Sequence, residues 1–214
     1  MQRSIPDDTF KFLCFKELIE YEKIDKTPRD TRKLLKTMHQ ACKILEEIGV
    51  KYWLSRGTLL GLHRDKKFLP DDLDIDIDVY TDKDVYKIIQ RVPYDVLVAA
   101  TSEGHYMQLA FLDLATEVVF DIWFYYPFGD HIINRNFFGY FLLPDNTATL
   151  PGTISLGNHT YPTFSDPEWY CRYWYGDNWR TPKKYGTNWQ LDYERDCKAF
   201  VFLGEKNLIY KKYY

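Results

Sequence analysis

Long apolar runs are missing from this chain. None approaches the about 18 residues of a membrane-spanning helix, and the N-terminal sequence from Met1 to Asp8 has no apolar core of a signal peptide. We therefore expect a cytoplasmic protein with no membrane span. The basic and aromatic residues 209–214 leave peripheral contact with a membrane surface as an alternative, although a plain exposed tail is the simpler interpretation.

An excess of basic residues is also missing. The chain has 28 Lys and Arg against 31 Asp and Glu, which gives a net charge of −3. A general nucleic-acid binder usually carries a basic face, so no nucleic-acid partner is expected.

Cysteine is scarce, and its spacing matches no common site. The four cysteines are Cys14, Cys42, Cys171 and Cys197. They form no Cys-x-x-Cys pair and have no pair of histidines nearby, so the pattern predicts buried thiols in a reducing compartment rather than disulfides or a zinc site.

What the chain contains suits one domain covering residues 1–214. Its hydrophobic content of 45% is sufficient for a core. The periodicity of apolar residues predicts N-terminal helices within residues 1–48, a catalytic core over 50–125, and a loop-rich segment with further helices over 127–214. The predicted helices cover residues 9–22, 29–48, 81–91, 166–175 and 189–202. The predicted strands cover residues 50–54, 73–79, 95–100, 105–112, 117–124, 137–143 and 152–156.

Aspartates and apolar residues alternate between Asp72 and Val79. Successive side chains of a strand point to opposite faces, so one face is apolar and the other is a row of carboxylates. Neighbouring carboxylates then lie about 6.5–7 Å apart by strand rise. At an effective dielectric constant of about 20, each pair repels by about 2.5 kcal/mol. Because aspartate is also depleted in strands, the pattern predicts a multivalent cation that offsets the repulsion.

Two other interpretations of this acidic strand fit the sequence less well. A solvated edge strand shows the same alternation, but edge strands usually carry Lys and are shorter. A calcium loop of the EF-hand type needs Gly at its sixth position and Glu at its twelfth. Counted from Asp72, those positions hold Ile77 and Lys83, which excludes the EF-hand.

A glycine turn precedes the acidic strand. The apolar run 50–54 is followed by Gly57 and Thr58, which indicates a strand, a tight turn and a short helix beginning near Thr58. Gly57 lets the backbone approach a ligand closely, and amides at a helix start suit a phosphate. A Gly-Thr turn followed by paired carboxylates on a strand is the layout of the polymerase-β-type nucleotidyltransferase fold, an α+β fold with a mixed sheet flanked by helices.

That layout requires a third carboxylate on a later strand. Asp121 lies inside the apolar run 117–124, where an aspartate is costly to bury unless it is paired or bound to metal. A structural ion pair or a strand end is the alternative interpretation of Asp121. Asp113, at the end of the preceding strand, is the second choice for the third carboxylate.

The motifs of this segment resemble the LicD/fukutin family. The sequence GTLLG at 57–61, Arg64, FLP at 68–70 and D-x-D-x-D at 72–76 are similar to the family pattern GTLLG-x-x-R…IPWD-x-D-x-D. Asp71 replaces the family's Trp, and Asp78 stands where a small residue is common. The sequence 175–182 is similar to the YGD-x-W-x-x-P that closes many domains of this family, with a role in structural closure.

The resemblance implies a metal-dependent transferase. Asp74, Asp76 and Asp121 would be catalytic and bind Mg²⁺ or Mn²⁺, with Asp72 as an additional metal-site residue. Gly57, Thr58 and Arg64 would hold phosphate oxygens. The donor would be a CDP-linked alcohol such as CDP-choline or CDP-ribitol, the acceptor a glycan hydroxyl, and CMP the product. Segment 127–162 is expected to form short strands and loops that face the acceptor.

Two alternatives remain open from the sequence. One is nucleotidyl transfer, in which NMP from an NTP is placed on a small molecule or protein, because both reactions need the same metal and phosphate groups. The other is a non-catalytic binding module of the same fold. The retention of Asp72, Asp74, Asp76 and Asp121 disfavours the binding module.

Overall fold

The computed structural model describes residues 11–13, 30–70, 72–102, 104–135, 139–145, 151–183 and 200–202. Over these residues the chain forms a branched nine-stranded sheet, a separate two-stranded hairpin and four helices. The strands are β1 Lys11–Leu13, β2 Tyr52–Leu54, β3 Asp74–Tyr80, β4 Asp95–Ser102, β5 His105–Asp113, β6 Val118–Phe128, β7 His131–Arg135, β8 Gly139–Pro144, β9 Pro151–Leu156, β10 His159–Phe164 and β11 Phe200–Phe202. The helices are α1 Thr31–Glu47, α2 Arg56–Arg64, α3 Val85–Arg91 and α4 Pro167–Tyr175. None of these helices is both long and apolar enough to cross a membrane.

The sheet is mixed, because strand β3 runs parallel to β6 while every other pairing is antiparallel. The main path runs β1-β4-β5-β6-β7-β8-β11, and β3 branches from β6 with β2 on its other side. Strand β6 is therefore paired with β5 and β3 along its first part, which places β3 and β6 side by side in the interior. The predicted α+β class with a mixed sheet flanked by helices is confirmed.

The core lies on the apolar face of β3 and β6. Ile75 and Ile77 of β3 and Phe120 and Ile122 of β6 are fully buried. Helix α1 packs against both strands through its buried residues Leu34, Thr37, Met38, Ala41, Cys42 and Leu45. The apolar side of helix α1 thus packs on the apolar face of β3 and β6. The carboxylates of β3 lie on the opposite face of the sheet.

Most predicted elements are found within one to three residues of their expected bounds, but three predictions were wrong. Lys11–Leu13, inside the predicted helix 9–22, is an edge strand paired with β4. Phe200–Phe202, the end of the predicted helix 189–202, is a strand paired with β8. Short apolar runs fit a helix or a strand equally well, and pairing with an open sheet edge decides for the strand at both sites. Residues 9, 10 and 14–22 of the first prediction and residues 189–199 of the second lie outside the described residues.

The third correction concerns the start of helix α3. The helix was expected to begin at residue 81, but its N-cap residue is Asp84. Thr81 adopts a left-handed conformation with φ 65°, and its N–H still donates to the Tyr125 carbonyl of β6 at 2.8 Å. The chain therefore remains bound to the sheet at Thr81 and turns into the helix three residues later.

Segment 127–162 has more regular structure than expected. Strands β7 and β10 were not predicted, and β10 pairs with β9 to form a hairpin that packs against β2. Cys42 and Cys171 are buried free thiols, as predicted, while Cys14 and Cys197 fall outside the described residues.

Candidate metal centre

Three aspartates converge on the acidic face of the sheet. Asp74 and Asp76 are alternate residues of β3, and Asp76 lies directly opposite Asp121 in the parallel pairing with β6. One carboxylate oxygen from each residue lies within 4.8 Å of the other two. The structure thus brings together the three residues that the sequence singled out as metal ligands.

The electrostatics of the cluster favour a bound cation. Burial, together with the neighbouring Asp74 carboxylate, raises the pKa of Asp76 to about 8. Burial and repulsion from Asp74 and Asp76 raise the pKa of Asp121 well above its usual range. The Asp121 Oδ1 atom is buried and has no hydrogen-bond partner among the described atoms. An all-oxygen set with an unsatisfied buried oxygen is the chemistry that Mg²⁺ and Mn²⁺ prefer, so the residues present fit such an ion.

Asp72 is a fourth carboxylate at the edge of the cluster. It forms a side-chain hydrogen bond with Asp74, and burial followed by repulsion from Asp74 and Asp76 raises its pKa well above the usual range. Its Oδ2 atom is buried and unpartnered among the described atoms. Asp72 therefore belongs to the same charged site, although it is not among the three residues whose oxygens converge.

Gly57 has no side chain, and the carboxylates of Asp72 and Asp76 pack against the position that its Cβ atom would take. A Cβ atom at residue 57 would lie 3.3 and 3.4 Å from the two Asp72 oxygens and 3.6 Å from Asp76 Oδ2. Gly57 is in the first turn of α2, so the positive end of the helix faces the carboxylates. The glycine thus permits close packing of a helix start against the acidic strand, in addition to its predicted phosphate role.

Thr58 connects helix α2 to strand β3. Its Oγ1 atom accepts a hydrogen bond from the Asp76 backbone N–H at 2.9 Å, and the Ser55 N–H donates to the Asp76 carbonyl at 3.2 Å. The side chain of Thr58 is fully buried. Thr58 therefore fixes the backbone of a candidate ligand residue, and the contact of Thr58 with phosphate stays a prediction.

Arg64 lies at the far end of α2, about 10 Å along the helix axis from Gly57 by helical rise. Its guanidinium donates to both Asp65 oxygens at 2.8 and 2.7 Å, and Nη1 donates to the Trp179 carbonyl at 3.4 Å. A phosphate contact at Arg64 would require it to leave Asp65, and this role also stays a prediction.

The second choice for the third carboxylate, Asp113, lies elsewhere. It pairs with Val118 on the core face of β6, the face opposite Asp121. Its oxygens accept hydrogen bonds from Thr37 Oγ1 at 2.8 Å and from the Ala115 N–H at 3.0 Å. Asp113 is therefore part of a buried turn next to α1.

The sequence analysis missed a buried ion pair beside the cluster. Arg56 Nη1 donates to Asp78 Oδ1 at 3.0 Å, and Ser55 Oγ donates to the same oxygen at 2.8 Å. The exposed fractions of the two charged side chains are 9% for Arg56 and 0% for Asp78. The signal in the sequence was Asp78 itself, which extends the aspartate alternation by one position, but nothing along the chain indicated its partner.

Trp123 and Gln108 were missed too, and each contacts a ligand candidate. The Trp123 indole N–H donates to Asp76 Oδ1 at 3.1 Å, and Gln108 forms a side-chain hydrogen bond with Asp121. Trp123 and Gln108 are directly opposite each other on β6 and β5. They lie on the carboxylate face and orient the two aspartates that face each other across β3 and β6.

The part of the chain that holds these residues is similar to one known protein family. Residues 49–146 match the family model for the LicD/FKTN/FKRP nucleotidyltransferase domain. The chain is 32% identical over 114 residues to ribitol-5-phosphate transferase FKTN of Mus musculus, a match that covers 48% of this chain and 23% of that protein. It is 38% identical over 60 residues to ribitol 5-phosphate transferase FKRP of Homo sapiens, which covers 28% of this chain and 12% of that protein.

Among solved structures, the chain is similar to the lincosamide antibiotic adenylyltransferase LnuA bound to lincomycin. The TM-score is 0.43 at 17% sequence identity, over 78% of this chain and 96% of that chain. The two transferases above are matched over less than a quarter of their length. The family resemblance seen in the motifs is nevertheless confirmed, since residues 49–146 match the nucleotidyltransferase domain of the LicD/FKTN/FKRP family.

Proposed function

We propose that this chain is a metal-dependent transferase that moves a phospho-alcohol, such as phosphocholine or ribitol phosphate, from a CDP-linked donor to a hydroxyl of a glycan or related acceptor and releases CMP. The observation that carries the proposal is the convergence of Asp74, Asp76 and Asp121 beside the Gly57 turn. Support for the reaction class comes from the family match and from relatives that are named ribitol-5-phosphate transferases.

Asp74, Asp76 and Asp121 would hold Mg²⁺ or Mn²⁺, and Asp72 adds a fourth carboxylate at the edge of the site. When bound, the ion neutralises the diphosphate of the donor and stabilises charge on the attacking and leaving oxygens. Without the ion, burial raises the pKa of all four carboxyl groups, so binding of the ion would release protons from them.

The chain's own residues supply binding and proton transfer. The amides at the start of α2 face the site and suit a phosphate oxygen, and Arg64 would grip the diphosphate in bidentate fashion. The proton of the acceptor hydroxyl would pass to a carboxylate oxygen of Asp121 or Asp72 that is not engaged by the ion. As the acceptor oxygen bonds to phosphorus, the bond from phosphorus to the CMP oxygen breaks and CMP leaves.

Transfer of a nucleotide from an NTP is the second candidate, because the matched family model is described as a nucleotidyltransferase domain. The same carboxylates and helix start would serve it. The products separate the two reactions, since phospho-alcohol transfer releases CMP and nucleotidyl transfer releases pyrophosphate. A binding module remains the third candidate, and the retention of all four carboxylates argues against it.

The proposal includes a cytoplasmic setting, which the buried free thiols Cys42 and Cys171 support. Peripheral contact of residues 209–214 with a membrane surface stays a prediction about a part of the chain that lies outside the described residues.

The test is release of CMP from CDP-choline, CDP-ribitol and CDP-glycerol by the purified chain, with Mg²⁺, with Mn²⁺ and with a chelator. Glycan acceptors are supplied in parallel, and Asp74→Asn and Asp76→Asn are the matched inactive variants. Release that requires metal and disappears in both variants supports the proposal. Pyrophosphate release from an NTP without CMP release from any CDP-alcohol would move the assignment to nucleotidyl transfer. Full activity in either variant would exclude this site.

A further inference from the structure

Arg56 combines two unfavourable features at the turn next to the carboxylates. Its backbone has φ 44°, a left-handed conformation that costs a residue with a side chain about 1 kcal/mol or more. Its guanidinium forms a buried ion pair with Asp78, and a buried ion pair is often no more stabilising than a well-packed apolar pair of the same size. Neither feature is expected to add much to the free energy of unfolding, so stability alone does not explain an arginine at position 56.

The surroundings of Arg56 connect it to the candidate metal ligand Asp76. The guanidinium carbon lies 4.0 Å from the centre of the Trp123 ring. On the same indole, the N–H donates to Asp76 Oδ1 at 3.1 Å. Trp123 is half-buried, so the stacked guanidinium restricts a ring that would otherwise have solvent along part of its surface. The orientation of Asp76 thus depends on Trp123, and that of Trp123 on Arg56.

Helix α4 holds Arg56 from the other side. The Arg56 backbone N–H donates to the Tyr170 hydroxyl at 3.1 Å, and the Trp174 ring centre lies 5.2 Å from the guanidinium carbon. Both residues belong to α4, which ends at Tyr175, where the motif 175–182 assigned to structural closure begins. Helix α4 therefore reaches the candidate metal centre through one side chain.

From these contacts we infer that Arg56, anchored by Asp78, is a positioning residue of the metal centre that acts through Trp123 on the orientation of Asp76. The inference rests on the proposed function, because it assumes that Asp76 binds the ion. It goes further in assigning a role to three residues that neither the family motifs nor the carboxylate cluster include.

The experiment measures Mn²⁺ binding to the full chain by calorimetry, in the absence of any donor. Trp123→Phe keeps an aromatic ring at residue 123 and removes the indole N–H together with the five-membered part of the ring, which is why a second Trp→Phe variant serves as the control. Loss of a partner that orients a metal ligand typically weakens metal binding about 10–100-fold, and we expect a loss in this range. Trp169→Phe is the matched control, since Trp169 is a half-buried tryptophan of α4 that stacks on Tyr173. We expect its Mn²⁺ affinity to stay within about twofold of wild type.

A double-mutant cycle tests whether Arg56 acts through Trp123. The variant Arg56→Met/Asp78→Asn removes both charges, so it leaves the net charge unchanged and no buried ion unpaired. We expect it to weaken Mn²⁺ binding and to change the electron paramagnetic resonance spectrum of the bound ion. Adding Trp123→Phe to it should cause little further loss, because residues in one chain of contacts are not additive. Additive losses would overturn the inferred route.

Thermal unfolding of each variant shows whether a weaker Mn²⁺ affinity arises in folded protein or from loss of folding. Wild-type Mn²⁺ affinity in folded Trp123→Phe would overturn the inference and leave the proposed function standing. If wild-type protein bound no Mn²⁺, the proposed function would fail first, and the inference with it. Should Trp123→Phe not fold, Arg56→Lys takes its place: lysine keeps the charge and loses the planar stacking group. An unchanged affinity in that variant would be equally decisive against the inference.

Discussion

Two glycines of helix α2 are expected to respond in opposite ways to the same substitution. A methyl group at residue 57 would lie 3.3–3.4 Å from the carboxylate oxygens of Asp72. At residue 61 it would lie 2.7 Å from the Lys67 carbonyl oxygen and 2.9 Å from the Leu69 nitrogen. The first contact is with the end of a side chain that can shift by a few tenths of an ångström, whereas the second is with backbone that cannot.

Gly57→Ala should therefore fold normally and bind metal poorly. Alanine is preferred over glycine in a helix by about 1 kcal/mol, and at the first turn part of that gain offsets the crowding of Asp72. We expect the Tm to stay within about 2 °C of wild type, since 1 kcal/mol corresponds to about 2–4 °C in a chain of this size. Displacement of Asp72, and through it Asp74, should weaken Mn²⁺ binding about tenfold.

Gly61→Ala should show the reverse pattern. Overpacking against rigid backbone costs about 1–3 kcal/mol, which corresponds to a Tm lower by about 2–12 °C. The three atoms nearest to a methyl group at residue 61 belong to Lys67 and Leu69 and not to a carboxylate of the centre, so the folded fraction should bind Mn²⁺ as wild type does.

Calorimetric titration without donor and thermal unfolding together check both variants. A role for Gly57 limited to phosphate contact predicts unchanged metal affinity with a raised KM for the donor. If Gly57→Ala bound Mn²⁺ as tightly as wild type, the argument from carboxylate packing would be refuted. Loss of folding in Gly57→Ala would equally contradict it.

Three further predictions follow from the buried charges. Without metal, the free energy of unfolding should fall as pH rises from about 4 to 8. The reason is that the pKa of Asp76 in the folded state, about 8, lies above its value in the unfolded state, so the folded state holds this proton to higher pH. Measurements of Tm at several pH values check this, and Mg²⁺ should make the Tm depend less on pH. Asp78→Ala should lower stability by about 3–5 kcal/mol in chemical denaturation, since it leaves the Arg56 guanidinium buried without its partner; a loss below about 1 kcal/mol would mean that the pair is solvated. Asp113→Asn should retain CMP release and Mn²⁺ affinity, because Asp113 lies on the sheet face opposite the carboxylate cluster. It should lose about 1–3 kcal/mol of stability, because the Asp113 carboxylate accepts a hydrogen bond from Thr37. Loss of metal binding in this variant would overturn the placement of the centre.

The central part of the site was predictable from the sequence because each of its residues follows a local rule. Alternation by two places Asp74 and Asp76 on one face. An aspartate inside the apolar run around Asp121 is costly unless it has a partner. These rules do not give the pairing register, yet the fold that they indicated requires the strands to be neighbours. The structure supplies the missing fact, in that Asp76 and Asp121 are opposite each other in a parallel pair.

The edges of the sheet were less predictable for a physical reason. Lys11–Leu13 and Phe200–Phe202 are three-residue strands, too short to show a period of two. What makes them strands is the unpaired edge of β4 or β8, which offers backbone hydrogen bonds. Such an edge exists only after the rest of the sheet has formed, so no local pattern could have indicated it.

Arg56 illustrates a different limit. An arginine between Ser55 and Gly57 looks like an ordinary turn residue, and Asp78 looked only like a departure from a family pattern. Each is explained by the other: a carboxylate with no exposed surface at Asp78 requires a buried cation, and Arg56 provides it at 3.0 Å. Because Arg56 also stacks on the tryptophan that orients Asp76, a replacement at residue 78 is not an isolated change on the acidic face. If Arg56 has the proposed positioning role, a replacement at residue 78 would also change how Asp76 is held, which is the reason that we expect both residues to affect metal affinity.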